Sequence, residues 1–95
     1  MNKQELISMW ENDGFKVVKH REVEQEKHLW VLYAVYQPEG TEDYGRHFGM
    51  LLVIDKKTSK IIGHDLENQF DHSPSLGLES WFERHVREGI GEICV

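Results

Sequence analysis

The sequence predicts an α+β fold: a two-layer, antiparallel four-stranded sheet in the order helix-β-β-β-β-helix, with both helices on one face. Three observations carry this reading. Leu29–Tyr36 (LWVLYAVY) and Phe48–Ile54 (FGMLLVI) are apolar runs of strand length, rich in aromatic and β-branched residues. An amphipathic helical pattern stands near each end of the chain. Most connections between the extended segments are short, which favours consecutive antiparallel pairing over crossovers.

The first helix is read over residues 3–13. Asn2 stands in the N-cap place with Glu5 three residues on, Leu6 and Trp10 share a face, and Gly14 is the stop. Phe15–Val23 alternates imperfectly, as a strand at a sheet edge whose charges discourage pairing with another chain. Glu24–His28 is a polar turn before the central strand Leu29–Tyr36. Gln37–His47 is a long connection for a hairpin, and long connections often carry function. Phe48–Ile54 is the second central strand. Asp55–Lys60 is its turn, in which Asp55 and Thr58 can accept from following amides and Ser59 replaces the easier glycine. A fourth strand runs from Lys60 to about Leu66, followed by a connection over Glu67–Ser75. Leu78, Trp81, Phe82, His85 and Val86 form the clearest helical stripe in the chain. Ser73 or Ser75 is the candidate cap, and Gly89 ends the helix. Ile90–Val95 is a short tail that could add an edge strand.

Neither side of the two central strands is polar. A sheet with one wet face should alternate apolar and polar residues. Both faces of the sheet centre must therefore be covered, or one carries an exposed apolar patch. With both helices assigned to one face, the other stays open. The face that alternation gives to Trp30 and Tyr36, with the face of Tyr33 in reserve, becomes a candidate surface for a partner or a second copy.

Bulk composition narrows the function classes. Ninety-five residues make one domain, which buries only about 60–65% of its unfolded surface. Net charge is −6: residues 1–63 hold nine Lys/Arg against ten Asp/Glu, and residues 64–95 hold two against seven. The acidic C-terminal third repels nucleic acid, and no basic stripe compensates. No run approaches a membrane span, and MNKQELISMWEND lacks the apolar core of a leader. A single cysteine, Cys94, excludes an internal disulfide and points to a reducing cytoplasm. The expected partners are a protein or the chain itself as a homodimer, with no nucleic acid, no membrane and no cofactor.

Catalytic motifs are lacking: there is no phosphate loop, GxGxxG, HExxH, GxSxG or CxxC. His64, Asp65, Asp71 and His72 form the only local cluster with ligand chemistry, suited to zinc or a similar ion. Their spacing matches no compact ligand motif, so a metal-dependent ligand binder or small enzyme, perhaps with His47, is the alternative reading. Tyr44, Arg46 and His47 in the long connection could orient a ligand or meet a partner. Arg46 could equally pair with Glu42 or Asp43. His85 lies on the apolar stripe of the last helix and reads as a packing residue.

The hairpin LLVIDKKTSKII resembles one found in small bacterial toxin-immunity or chaperone-like proteins. These run helix, strands, a (V/I)-D-K-x-(T/S)-G-x-(I/V) hairpin and a closing helix, and PepSY modules have a similar hairpin. Val53, Ile54, Asp55, Lys56, Thr58, Lys60 and Ile61 carry the likeness, and Ser59 departs from the glycine of the pattern. The resemblance implies a non-enzymatic binding protein that masks a partner, sometimes as a dimer. The matched positions are turn chemistry, so no functional residue is carried over with them.

Overall fold

The computed structural model describes residues 2–37, 47–69 and 76–89. Two helices flank one four-stranded antiparallel sheet, in the chain order α1 (Lys3–Asn12), β1 (Lys16–Glu24), β2 (His28–Tyr36), β3 (His47–Asp55), β4 (Ile61–Gln69), α2 (Leu76–Glu88). The strands lie in the order β1-β2-β3-β4, the meander expected from short connections. No described helix is long and apolar enough to cross a membrane.

Local chemistry sets the ends of the elements. The Asn2 side chain accepts from the Glu5 amide at 2.9 Å, satisfying one of the donors left over at a helix start. Gly14 and Gly89 follow the two helices with φ of 91° and 88°, the left-handed conformation that glycine adopts without Cβ strain. In the β3–β4 turn, Asp55 Oδ1 accepts from the Lys57 amide at 3.0 Å, and Thr58 Oγ1 accepts from the Lys60 amide at 3.3 Å. Ser59 takes a φ of 61° there, the position where glycine would be easier.

The placement of the helices differs from expectation. They do not share a face, and the fold has three layers rather than two. Trp30, Leu32, Leu51 and Val53 pack with Leu78, Trp81 and Phe82 of α2. Val31, Tyr33, Val35, Met50, Leu52 and Ile54 pack on the other side, against Leu6, Ile7 and Trp10 of α1. The physical reason lies in the strands themselves: apolar residues on both sides need cover on both sides. No central-strand face is left open, since every residue from Trp30 to Val35 and from Met50 to Ile54 is buried.

Two register shifts adjust the edge strands. One falls between Lys19 and Arg21, where the ladder to β2 skips His20. An extra residue of this kind breaks strict alternation. It lets both His20 and Arg21 reach α2, and it accounts for the imperfect alternation of Phe15–Val23. The second lies between Val53 and Ile54, where the ladder to β4 skips Ile62. Strand β4 extends past Leu66 to Gln69, because Glu67, Asn68 and Gln69 pair with Gly49, Phe48 and His47 despite their polarity. The possible edge strand over 90–95, with Cys94, and the cap at Ser73 or Ser75 lie outside the described residues.

Candidate functional site

The expected interface residues divide into three groups. Trp30 and Tyr33 are core, with 1% and 4% of their surfaces exposed. The Trp30 ring donates through Nε1 to Gln25 Oε1 at 2.9 Å, so its polar atom is satisfied within the domain. Neither residue can meet a partner without unfolding, which corrects their assignment to an open face. Tyr36 is partly buried at the end of β2, opposite Lys16 and His47 in the ladder, with the Lys16 ammonium 6.0 Å from its ring centre. Tyr44 and Arg46 lie outside the described residues. The backbone of His47 opens β3, and its side chain also lies outside them.

Burial of Tyr33, with a smaller contribution from the carboxylate of Glu22, pushes its phenol above the ordinary tyrosine range. The folded state therefore holds this proton more tightly than the unfolded state. Stability is expected to be unaffected by Tyr33 below the ordinary pKa of 10.0 and to fall as pH rises through and beyond it. A tyrosinate absorbance titration should show one of the three tyrosines ionising late, and Tyr33→Phe should remove that late component and flatten the alkaline loss of stability. A late component that survives in Tyr33→Phe would contradict this account.

The metal alternative loses the geometry it needs at its first pair. His64 and Asp65 are consecutive on β4 and point to opposite faces, as strand alternation requires. His64 is exposed, and its ladder partner Leu52 belongs to the α1 side. Asp65 turns to the α2 side, where its Oδ2 lies 3.4 Å from His85 Nε2. Asp71 and His72 lie outside the described residues. Among the described residues, no three His, Cys, Asp or Glu side chains are grouped to hold a metal ion.

The contact between His85 and Asp65 was not legible in the sequence. His85 is 5% exposed and stands edge-on to Trp81, with ring centres 5.4 Å apart, so its reading as a packing residue holds. Its Nδ1 is buried with no hydrogen-bond partner. A proton-transfer residue needs one nitrogen within reach of substrate. Here one nitrogen faces Asp65 and the other is sealed in the core, so the pair ties α2 to β4.

Helix α2 is tied on its other side too. His20 Nε2 lies 3.1 Å from Glu79 Oε1, and Arg21 donates to Glu83. The hydrogen bond from Arg21 to Glu83 raises the guanidinium pKa further above its already high ordinary value. These groups are substantially exposed, so each pair orients the helix more than it stabilises it.

Two surface features remain. At the turn end of the sheet, a shallow, open depression of about 520 Å³ is lined by Glu26, Lys27, His28, Asp55, Lys56 and Lys57. Lys56 is engaged there by Glu24 at 2.9 Å and by the Gln25 carbonyl at 3.2 Å. Its lining mixes both signs of charge, so it selects neither anions nor cations. At the opposite end, Trp10, Phe15 and Phe48 meet with ring centres 5.0–6.0 Å apart, one pair edge-to-face. All three are only partly buried. This rim lies where the chain leaves β2 and re-enters at β3, so Tyr36 stands at the same end on the other face. Sequence reasoning placed Trp10 in the core and gave Phe15 and Phe48 no role outside their strands. The signal that could have found the cluster is the presence of an aromatic at the last turn of α1, at the entry to β1 and at the entry to β3.

No family model, curated protein or solved structure gives a significant match to this chain.

Proposed function

We propose that this chain is a non-catalytic cytoplasmic domain that binds a protein partner through the end of the sheet where Trp10, Phe15 and Phe48 meet and Tyr36 leaves β2. The observation that supports it is the three-ring cluster itself: Trp10, Phe15 and Phe48 gather three partly buried aromatic side chains in one place, whereas the exposed Met9, Val18 and Leu66 are single side chains. Aromatic side chains supply interface anchors because they bury much area while few rotatable bonds are frozen. The hairpin likeness to immunity and chaperone-like proteins, which implies masking of a partner, agrees with this reading. The strand ends that the 37–47 connection joins, Tyr36 and the His47 backbone, stand at this same end.

Self-association across an open sheet face has lost its ground, because both faces are covered within one copy. The purified chain is therefore expected to sediment as a monomer over a wide concentration range. The binding itself is tested by affinity capture from the cells that make the chain. Wild type and Lys57→Ser, a control at an exposed position in the β3–β4 turn at the other end of the sheet, should retain the same protein. Trp10→Ala or Phe15→Ala should weaken that retention roughly thirtyfold, the effect of losing an anchor worth about 2 kcal/mol. Circular dichroism must show these variants folded. Capture that ignores the rim substitutions would overturn the proposal.

A further inference from the structure

Strands β1 and β4 are the two edges of the described sheet. An edge presents unpaired amides and carbonyls that can template a strand from another molecule. β1 is protected by its charges and by the extra residue at His20. β4 is less obviously protected: it is nine residues long, carries Leu66 at 46% exposure, and has neither lysine nor proline. Its protection lies in one side chain. The Leu66 amide donates to Asp65 Oδ1 at 2.9 Å, so it is not spent on the ladder to β3 and points to the outer side of the strand. The other oxygen of Asp65 lies 3.4 Å from the buried ring of His85. Asp65 is thus held from below by α2 while it covers the edge donor beside it.

We propose that Asp65 guards the outer edge of β4 in the described sheet, covering the outward Leu66 amide and so preventing a second copy from adding its own β4. The occupant excluded is a second copy because β4 can pair with itself about a two-fold axis at Leu66. That pairing sets the two exposed leucines against each other and exchanges their amide and carbonyl groups. It also sets Asp65 of each copy opposite Glu67 of the other, and like charges directly opposed disfavour pairing. The wild-type side chain therefore opposes self-pairing twice, by occupying the donor and by its charge.

The experiment separates these two effects. Asp65→Ala removes the acceptor and the charge; Asp65→Asn removes the charge but keeps an oxygen for the Leu66 amide. Both are made also in a His85→Leu background, so that truncation does not strand the buried ring. Sedimentation velocity should show concentration-dependent dimers for Asp65→Ala and monomers for Asp65→Asn and wild type. At dilutions where all are monomeric, the Leu66 amide should exchange about tenfold faster in Asp65→Ala, the loss of one hydrogen bond to a charged group. Adding Leu66→Pro, which deletes the donor at an edge position that tolerates proline, should return Asp65→Ala to the monomer. Three results would overturn the inference: a monomeric Asp65→Ala with unchanged exchange, dimerisation of Asp65→Asn to the same extent, or association that persists with Leu66→Pro.

Discussion

Replacing Phe82 by alanine is expected to lower folding stability by about 3–5 kcal/mol, the usual cost of deleting a buried aromatic ring and leaving a cavity. Phe82 has no exposed surface and sits where α2 meets Trp30, Leu32, Leu51 and Val53. It also lies 6.0 Å below the Arg21 guanidinium, so its loss loosens the tie between α2 and β1 as well. A domain of this size has only about 5–15 kcal/mol in total. At about 4–8 °C per kcal/mol, the unfolding midpoint should fall by at least roughly 12 °C. Urea unfolding followed by tryptophan fluorescence measures this, and a loss below about 1 kcal/mol would show that α2 does not cover the sheet as described.

Gly49→Ala is expected to destabilise, against the trend for its substitution type. In a strand interior, glycine costs roughly 0.5–1 kcal/mol relative to alanine, so the change would ordinarily help. Here α2 lies directly on the backbone. A Cβ at residue 49 would meet Leu78 Cδ1 at 2.0 Å and its Cγ at 3.1 Å. Leu78 is 3% exposed and packed among Trp81 and Phe82, so it cannot simply swing aside. Overpacking of this kind costs about 1–3 kcal/mol. The double variant Gly49→Ala/Leu78→Ala should show coupling: adding Gly49→Ala to a Leu78→Ala background should cost much less than adding it to wild type. A Gly49→Ala protein as stable as wild type, in thermal or urea unfolding, would mean that α2 stands further from the sheet.

Much of the architecture was legible because local chemistry and global fold agree. Leu29–Tyr36 and Phe48–Ile54 form the central strands that their composition predicts. Asn2, Gly14, Asp55, Ser59 and Gly89 punctuate the chain where they were expected to. The stripe from Leu78 to Val86 faces the sheet. What failed was the count of layers. The two-sided apolar pattern already demanded cover on both faces, but nothing in the pattern says which helix goes to which side. That depends on the path of the chain at each sheet edge. The slip at His20 was hidden for a related reason, since an extra residue looks like weak alternation until its partners are known. The polar end of β4 was hidden because Glu67, Asn68 and Gln69 become strand only by pairing with β3. At the candidate site, the residue types were readable but the burial was not. Trp30 and Tyr33 look like anchors in sequence and are core in the fold, while the partly exposed rings come from three separate elements.

The two helices hold the sheet unequally. Helix α2 sinks Leu78, Trp81, Phe82 and His85 into the interior, whereas α1 has no fully buried residue and rests on Leu6, Ile7 and Trp10. Partial opening is therefore expected to begin with α1 lifting as a unit, at a lower free-energy cost than global unfolding. What that fluctuation uncovers is Val31, Tyr33 and Val35 beside Met50 and Leu52, an apolar surface whose nearest charges, Lys19 and Glu22, lie on the edge strand β1. The folded domain covers that surface, and the partly opened state is the one expected to aggregate.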